Sequence, residues 1–343
     1  MYYRPTLTAS EGFRLIKSQI QNGQVGFEEQ EISAIDLNKK SIVVLCGNNT
    51  KHPIRAAAYT NYCFNWLNQY NVKENVTAYS VFYPSEQPLL LTLQQNPCLR
   101  YAELARIMFK NLLEKDGKIE SVESISKKFG NITFFGHSAG GFVMNELMFE
   151  LGSMLKEHGL SDEDINKVYS SIVFVGYSPF ALVDAPINSV YVAPVYDTVG
   201  STKLVYDKMI QNENIISSNP KLDIAKICKF RASSYSSFFK LYETAIQDED
   251  SLYFIDGKSL ISTPNLLFFD GLKEDHNLAG IIDYPEEHPH KTKAGKHTTE
   301  FMHKVFNYCL STERAKFSTI DLFNQVAPKT ERPSEQNNKN KEL

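Results

Sequence analysis

Ile132-Thr133-Phe134-Phe135-Gly136-His137-Ser138-Ala139-Gly140-Gly141 is the stretch whose reading decides the fold. Its first four residues, apolar but for Thr133, read as a short strand of the kind buried on both faces in a parallel sheet. Phe142, Val143, Leu147, Met148 and Leu151 follow at helical spacing. Between strand and helix stands Gly136-x-Ser138-x-Gly140. A serine on so sharp a turn is forced into a strained backbone, and glycines flank it because side chains there would strike the neighbouring strand or helix. The turn lifts the Ser138 hydroxyl above the sheet, at a helix N-terminus whose free N–H groups and dipole favour developing negative charge. Gly-x-Ser-x-Gly alone is a weak motif, and the strand before it and helix after it give it weight. The other reading is a glycine-rich turn that binds phosphate. Neither G-x-x-x-x-G-K-S/T nor G-x-G-x-x-G is formed, which counts against it.

Working outward, Ile42-Val43-Val44-Leu45 is a second buried strand, ending in Cys46-Gly47-Asn48-Asn49. Further strands are expected at 76–83, 171–175, 189–195 and 266–269, and helices at about 53–70, 99–114 and 298–310. Near the start, Ser10-Glu11 with Phe13, Leu15, Ile16 and Ile20 reads as an amphipathic helix over 10–22, and the alternation over 24–37 as one or two exposed strands. Strands alternating with helices predict an α/β fold: a mostly parallel central sheet with helices on both faces. Ligands bind such a sheet at the carboxyl ends of its strands, where each chemically interesting residue falls. Residues 1–327 read as one domain, with the loosely patterned 200–262 as a cap-like insertion and 328–343 as a disordered polar tail.

Composition removes several classes. The 343 residues are 42% hydrophobic and 22% charged, far from the regime of disorder. Net charge is -4 with no basic stripe, so no nucleic-acid partner is expected. Five scattered cysteines form no C-x-x-C pair and give an odd total, which argues against a disulfide framework and for a reducing compartment. No stretch reaches the ~18 apolar residues of a membrane span, and the N-terminus lacks signal-peptide runs. The expectation is a soluble cytoplasmic protein, with export by a signal-independent route left open. Aromatic residues make up 12%, including 22 Phe and 18 Tyr, which fits a large core or an apolar acyl-binding cleft.

Phe134 to Gly141 resembles the nucleophile elbow of α/β-hydrolase lipases and esterases, and the order of parts in that family can be followed over about residues 40–310. The resemblance implies an α/β-hydrolase fold in which Ser138 is the nucleophile of a Ser-Asp-His triad. One oxyanion donor is then the Ala139 N–H. The second comes from the loop after an early strand, here the Asn48 N–H, where many relatives carry His-Gly and this chain has Cys46-Gly47. Triad order is Ser, then Asp or Glu, then His. Asp197, just past the 189–195 strand, is the first choice of acid, with Asp184 the alternative. His276, just beyond 266–269, is the first choice of base, with His297 the alternative. His137 lies inside the elbow, and its side chain is expected to point away from Ser138. His288-x-His290 with Glu286, Glu287 and His297 matches no strong zinc spacing, and Pro289 restricts it, so neither metal nor cofactor is expected.

The implied activity is hydrolysis of a carboxylic ester, of lipase, phospholipase or esterase type, through an acyl-enzyme. Acyltransferase or thioesterase chemistry on the same triad, a metal-dependent hydrolase and an inactive hydrolase-fold binding module are the alternatives. The expected partner is a small-molecule or lipid ester. Phe230, Tyr235, Phe238, Phe239, Leu241 and Tyr242 within 200–262 suit an aromatic lid, the insertion's own small core, or a transient contact with a membrane surface.

Overall fold

The apolar runs become the middle of one sheet. The computed structural model describes residues 12–21, 24–47, 50, 52–68, 76–83, 98–179, 183–194, 253–255, 260–263, 266–269 and 293–326. In chain order the elements are β1 (Arg14–Gln21), β2 (Gln24–Gln30), β3 (Ser41–Leu45), α1 (Pro53–Asn68), β4 (Thr77–Phe82) and α2 (Cys98–Leu113). A short hairpin, β5 (Glu114–Lys115) and β6 (Lys118–Ile119), precedes α3 (Val122–Gly130), β7 (Ile132–His137), α4 (Gly140–Glu157) and α5 (Asp162–Ser170). Then come β8 (Val173–Tyr177), β9 (Asn188–Pro194), β10 (Tyr253–Ile255), β11 (Leu260–Thr263), β12 (Leu266–Phe269), α6 (Lys293–Ser311) and α7 (Thr319–Val326).

Ten strands form the main sheet in the order β10-β11-β12-β9-β8-β7-β3-β4-β1-β2. Parallel pairings run unbroken from β12 through β9, β8, β7 and β3 to β4. Antiparallel strands close both edges, β1 and β2 beyond β4, and β11 and β10 beyond β12. The fold is therefore of α/β type, a mostly parallel central sheet with helices packed on it. Neighbouring side chains of a strand point to opposite faces. On β7, Phe134 meets Phe109 of α2 at a ring separation of 6.5 Å, and Phe135 meets Phe306 of α6 at 5.4 Å. Both phenylalanines are fully buried. Burial of each contributes about 1.5–3 kcal/mol. The strand is thus covered on both sides, as its near-continuous apolar run leads one to expect.

From β3 the chain passes through α1 to β4 on one side, whereas β7 pairs with β3 on the other. Strand order reverses at the β3–β7 boundary. Right-handed crossovers then set α1 and α4 on opposite faces and leave a crevice at the carboxyl ends of these two strands. No described helix is long and apolar enough to cross a membrane.

The helix expected over 10–22 is instead strand β1. Its backbone pairs on both sides, Leu15 opposite Val81 of β4 and Gln30 of β2, so tertiary pairing overrides an ambiguous apolar spacing. The strand expected over 24–37 stops at Gln30. At the far end of the 200–262 segment, 253–255 and 260–263 are strands of the main sheet, while 200–252 lies outside the described residues, as does the 328–343 tail.

Candidate active site

Local packing dictates the turn after β7. A Cβ on Gly140 would stand 3.0 Å from the backbone carbon of Leu45 and closer still to its carbonyl oxygen. A Cβ on Gly136 would stand 2.7 Å from the Phe174 ring and 2.9 Å from the backbone carbon of Gly140. The two glycines let α4 start directly against β3 and beneath its own strand. Ser138 between them has φ 53°, a left-handed conformation that costs a non-glycine residue about 1–2 kcal/mol. Its N–H donates to Tyr177 O at 3.1 Å and its carbonyl accepts from Gly141 N–H at 3.2 Å. These bonds hold the strained residue in place. Ala139 is already helical, with φ −59° and ψ −17°, and caps the 18-residue helix α4 without a side-chain hydrogen bond of its own. Ser138 and Ala139 therefore sit at the positive end of a long helix, where negative charge is favoured.

Across the strand reversal, the loop after β3 is pinned by hydroxyls. Tyr83 donates to Cys46 O, and Thr50 donates to Gly47 O at 2.9 Å. Tyr59, from α1, accepts from Gly47 N–H at 3.3 Å and meets His137 Nδ1 at 3.0 Å. One buried hydroxyl thus ties the β3 loop to the residue before Ser138. A Cβ on Gly47 would come within 2.9 Å of both Tyr59 Oη and His137 Nδ1, so this tie needs glycine there. Burial raises the Tyr59 hydroxyl well above its ordinary value and keeps it neutral. The Cys46 thiol is raised by burial in the same way, so it is not a thiolate nucleophile near neutral pH. The His137 ring packs between Tyr59 and Tyr177, at centroid separations of 5.6 and 6.0 Å.

Of the residues singled out from sequence, Ser138 and Ala139 lie together at this turn. Asn48, Asp197 and His276 fall outside the described residues. His297 lies within α6, where only its backbone is described. Asp184 is exposed, and its N–H donates to Asn145 Oδ1 at 2.9 Å, more than one turn into α4 from Ser138. Among the described residues no group of three His, Cys, Asp or Glu could hold a metal, and His288 and His290 are not among them. Sequence reasoning missed Tyr59, which is 78 positions from His137 and carries no local pattern that marks it. It also missed Ser178, although Gly176-Tyr177-Ser178 repeats the Gly-aromatic-Ser ending of Gly136-His137-Ser138 on the next strand.

No family model and no curated protein matches this chain.

Proposed function

We propose that this chain is a serine hydrolase that cleaves carboxylic esters through an acyl-enzyme on Ser138. The observation that carries the reading is the left-handed backbone of Ser138, φ 53°, between a buried parallel strand and a long helix at the strand-order reversal. Strain of this kind persists only where the surroundings enforce it, and it gathers at functional sites. Gly136 and Gly140 supply that enforcement.

In this reading the Ser138 hydroxyl attacks the ester carbonyl and gives its proton to a histidine, with His276 as first choice and His297 as alternative. Asp197 holds that imidazole in the right tautomer and balances its charge, with Asp184 as alternative. The Ala139 N–H, aided by the helix end, stabilises the tetrahedral oxyanion, and the Asn48 N–H supplies a second donor. Each such donor contributes about 3 kcal/mol to the transition state. The alcohol leaves with the proton from histidine, and water then attacks the acyl group by the reverse route. The hydrogen bonds that fix Cys46 and Gly47, just before Asn48, support this scheme, because an oxyanion donor must be held in place before the charge develops.

Stopped-flow hydrolysis of p-nitrophenyl acetate tests the proposal. A burst of p-nitrophenolate close to one equivalent, lost in Ser138→Ala, is the expected result. Steady turnover that survives Ser138→Ala would rule the reading out.

A further inference from the structure

Three described non-glycine residues have left-handed backbones: Asp116, Ser138 and Ser178, with φ 53°, 53° and 45°. Asp116 is accounted for, since Asp116-Gly117 joins β5 to β6 in a tight hairpin. Ser138 is the proposed nucleophile. Ser178 has no such explanation. It is fully buried, and its hydroxyl finds no hydrogen-bond partner among the described residues. A buried hydroxyl left unpaired and a strained backbone are each unfavourable, and their coincidence at one residue calls for a functional cause.

Its position supplies one. Strands β7 and β8 pair in parallel with His137 opposite Tyr177, so Ser138 and Ser178 are the next residues in register. The Ser138 N–H donates to Tyr177 O, the carbonyl of the peptide that joins Tyr177 to Ser178. Ser178 N–H in turn donates to Val192 O at 2.8 Å, continuing the ladder onto β9. The two serines leave adjacent strands through one shared peptide unit, at the roughly 4.8 Å spacing of neighbouring strands. A single small molecule spans that distance.

The residues that follow separate their roles. Ala139 has an N–H and opens α4, whereas Pro179 has no N–H to offer an oxyanion. Ser178 is therefore placed to bind and not to attack. We propose that Ser178 is the second hydroxyl of the Ser138 site, a substrate-binding residue that donates a hydrogen bond to an oxygen of the bound ester. This assignment rests on the serine-hydrolase reading of Ser138. It also explains the unpaired state, because the bound ester supplies the missing acceptor.

The test is the saturation kinetics of a fluorophosphonate, whose phosphoryl oxygen stands in for the ester carbonyl oxygen, with the adduct mapped by peptide mass. Wild type is expected to label at Ser138 alone. Ser178→Ala is expected to raise the inhibition constant about tenfold, the loss of one neutral hydrogen bond, while the limiting labelling rate stays within about twofold. Its urea midpoint should hold or rise, because an unpaired buried hydroxyl has been removed; a merely structural hydroxyl would lower it. Should Ala fail to fold, Ser178→Gly accepts the left-handed backbone and carries the same expectation. Wild type unlabelled at Ser138 would sink the hydrolase reading and this proposal with it. Labelled wild type with an unchanged constant in the variant, or an adduct on Ser178, overturns the proposal alone.

Discussion

Gly140→Ala is the sharpest perturbation of the turn that holds Ser138. Non-bonded carbons sit best at roughly 3.5–4 Å. The new Cβ would meet Leu45 C at 3.0 Å and Leu45 Cβ at 3.3 Å, with the Leu45 carbonyl oxygen nearer still. The obstacle is the backbone of β3, a fully buried strand paired on both sides, so it cannot swing away as a side-chain tip would. Overpacking of this type costs about 3 kcal/mol at the upper end. Alanine returns up to about 1 kcal/mol of helix propensity, leaving a net loss of about 2 kcal/mol. Relief of the clash must come from α4, and a shift of about 1 Å at its first turn carries Ser138 and Ala139 with it. Misplacement on that scale lowers the acylation rate by about 100-fold. Urea denaturation and the p-nitrophenyl acetate burst measure the two effects together. Wild-type stability with a wild-type burst rate would mean that α4 does not press on β3 and that the glycine has another cause.

Other consequences follow from the same packing. Tyr59→Phe removes the hydroxyl shared by Gly47 N–H and His137 Nδ1, and should cost about 1–3 kcal/mol in urea denaturation and slow acylation at Ser138. Arg314 is mostly buried and donates to Cys309 O, Ile132 O and Thr133 Oγ1 at 2.6, 3.1 and 3.1 Å, so Arg314→Ala should cost about 3 kcal/mol or more by detaching the segment after α6 from β7. Burial raises the thiols of Cys46 and Cys63 and pushes Cys309 up to about 12 from the ordinary 9.0. The folded state then keeps protons that the unfolded state gives up, so stability is full below pH 9 and falls as pH rises from 9 towards 12. Denaturation midpoints across that range check the sign, and the three thiols should resist alkylation at pH 8 until the protein unfolds.

The sheet was legible because its central strands are buried on both faces and so appear as near-continuous apolar runs, unbroken from Ile42 to Leu45 and interrupted only by Thr133 from Ile132 to Phe135. The edge was not. β1 is stapled between β4 and β2 by backbone hydrogen bonds that its side chains do not announce, and Leu15 with Ile16 fits helix and strand alike. The sequence does hold one signal for this edge, Asn22-Gly23 between Gln21 and its partner Gln24, the strongest short-range signature of a hairpin. Two short helices, α3 and α5, carry readable signals as well: Ser121 and Ser161 cap them by accepting from Ser124 and Asp164 N–H. At the site, Ser138 could be found because its device is local: two glycines, a strand and a helix within about twenty residues. Tyr59 could not, since helix packing brings it to the turn from a distant part of the chain, and Ser178 left only the short Gly-aromatic-Ser echo of Gly136-His137-Ser138, its place beside the turn being set by strand register.

The most direct test of the central claim is intact-mass analysis after exposure to a fluorophosphonate, on wild type and Ser138→Ala at equal folding. One adduct on wild type, mapped to Ser138 and absent from the variant, is the expected result. A folded wild type that takes up no probe, or an adduct that persists in Ser138→Ala, would contradict an activated serine at the β7–α4 turn.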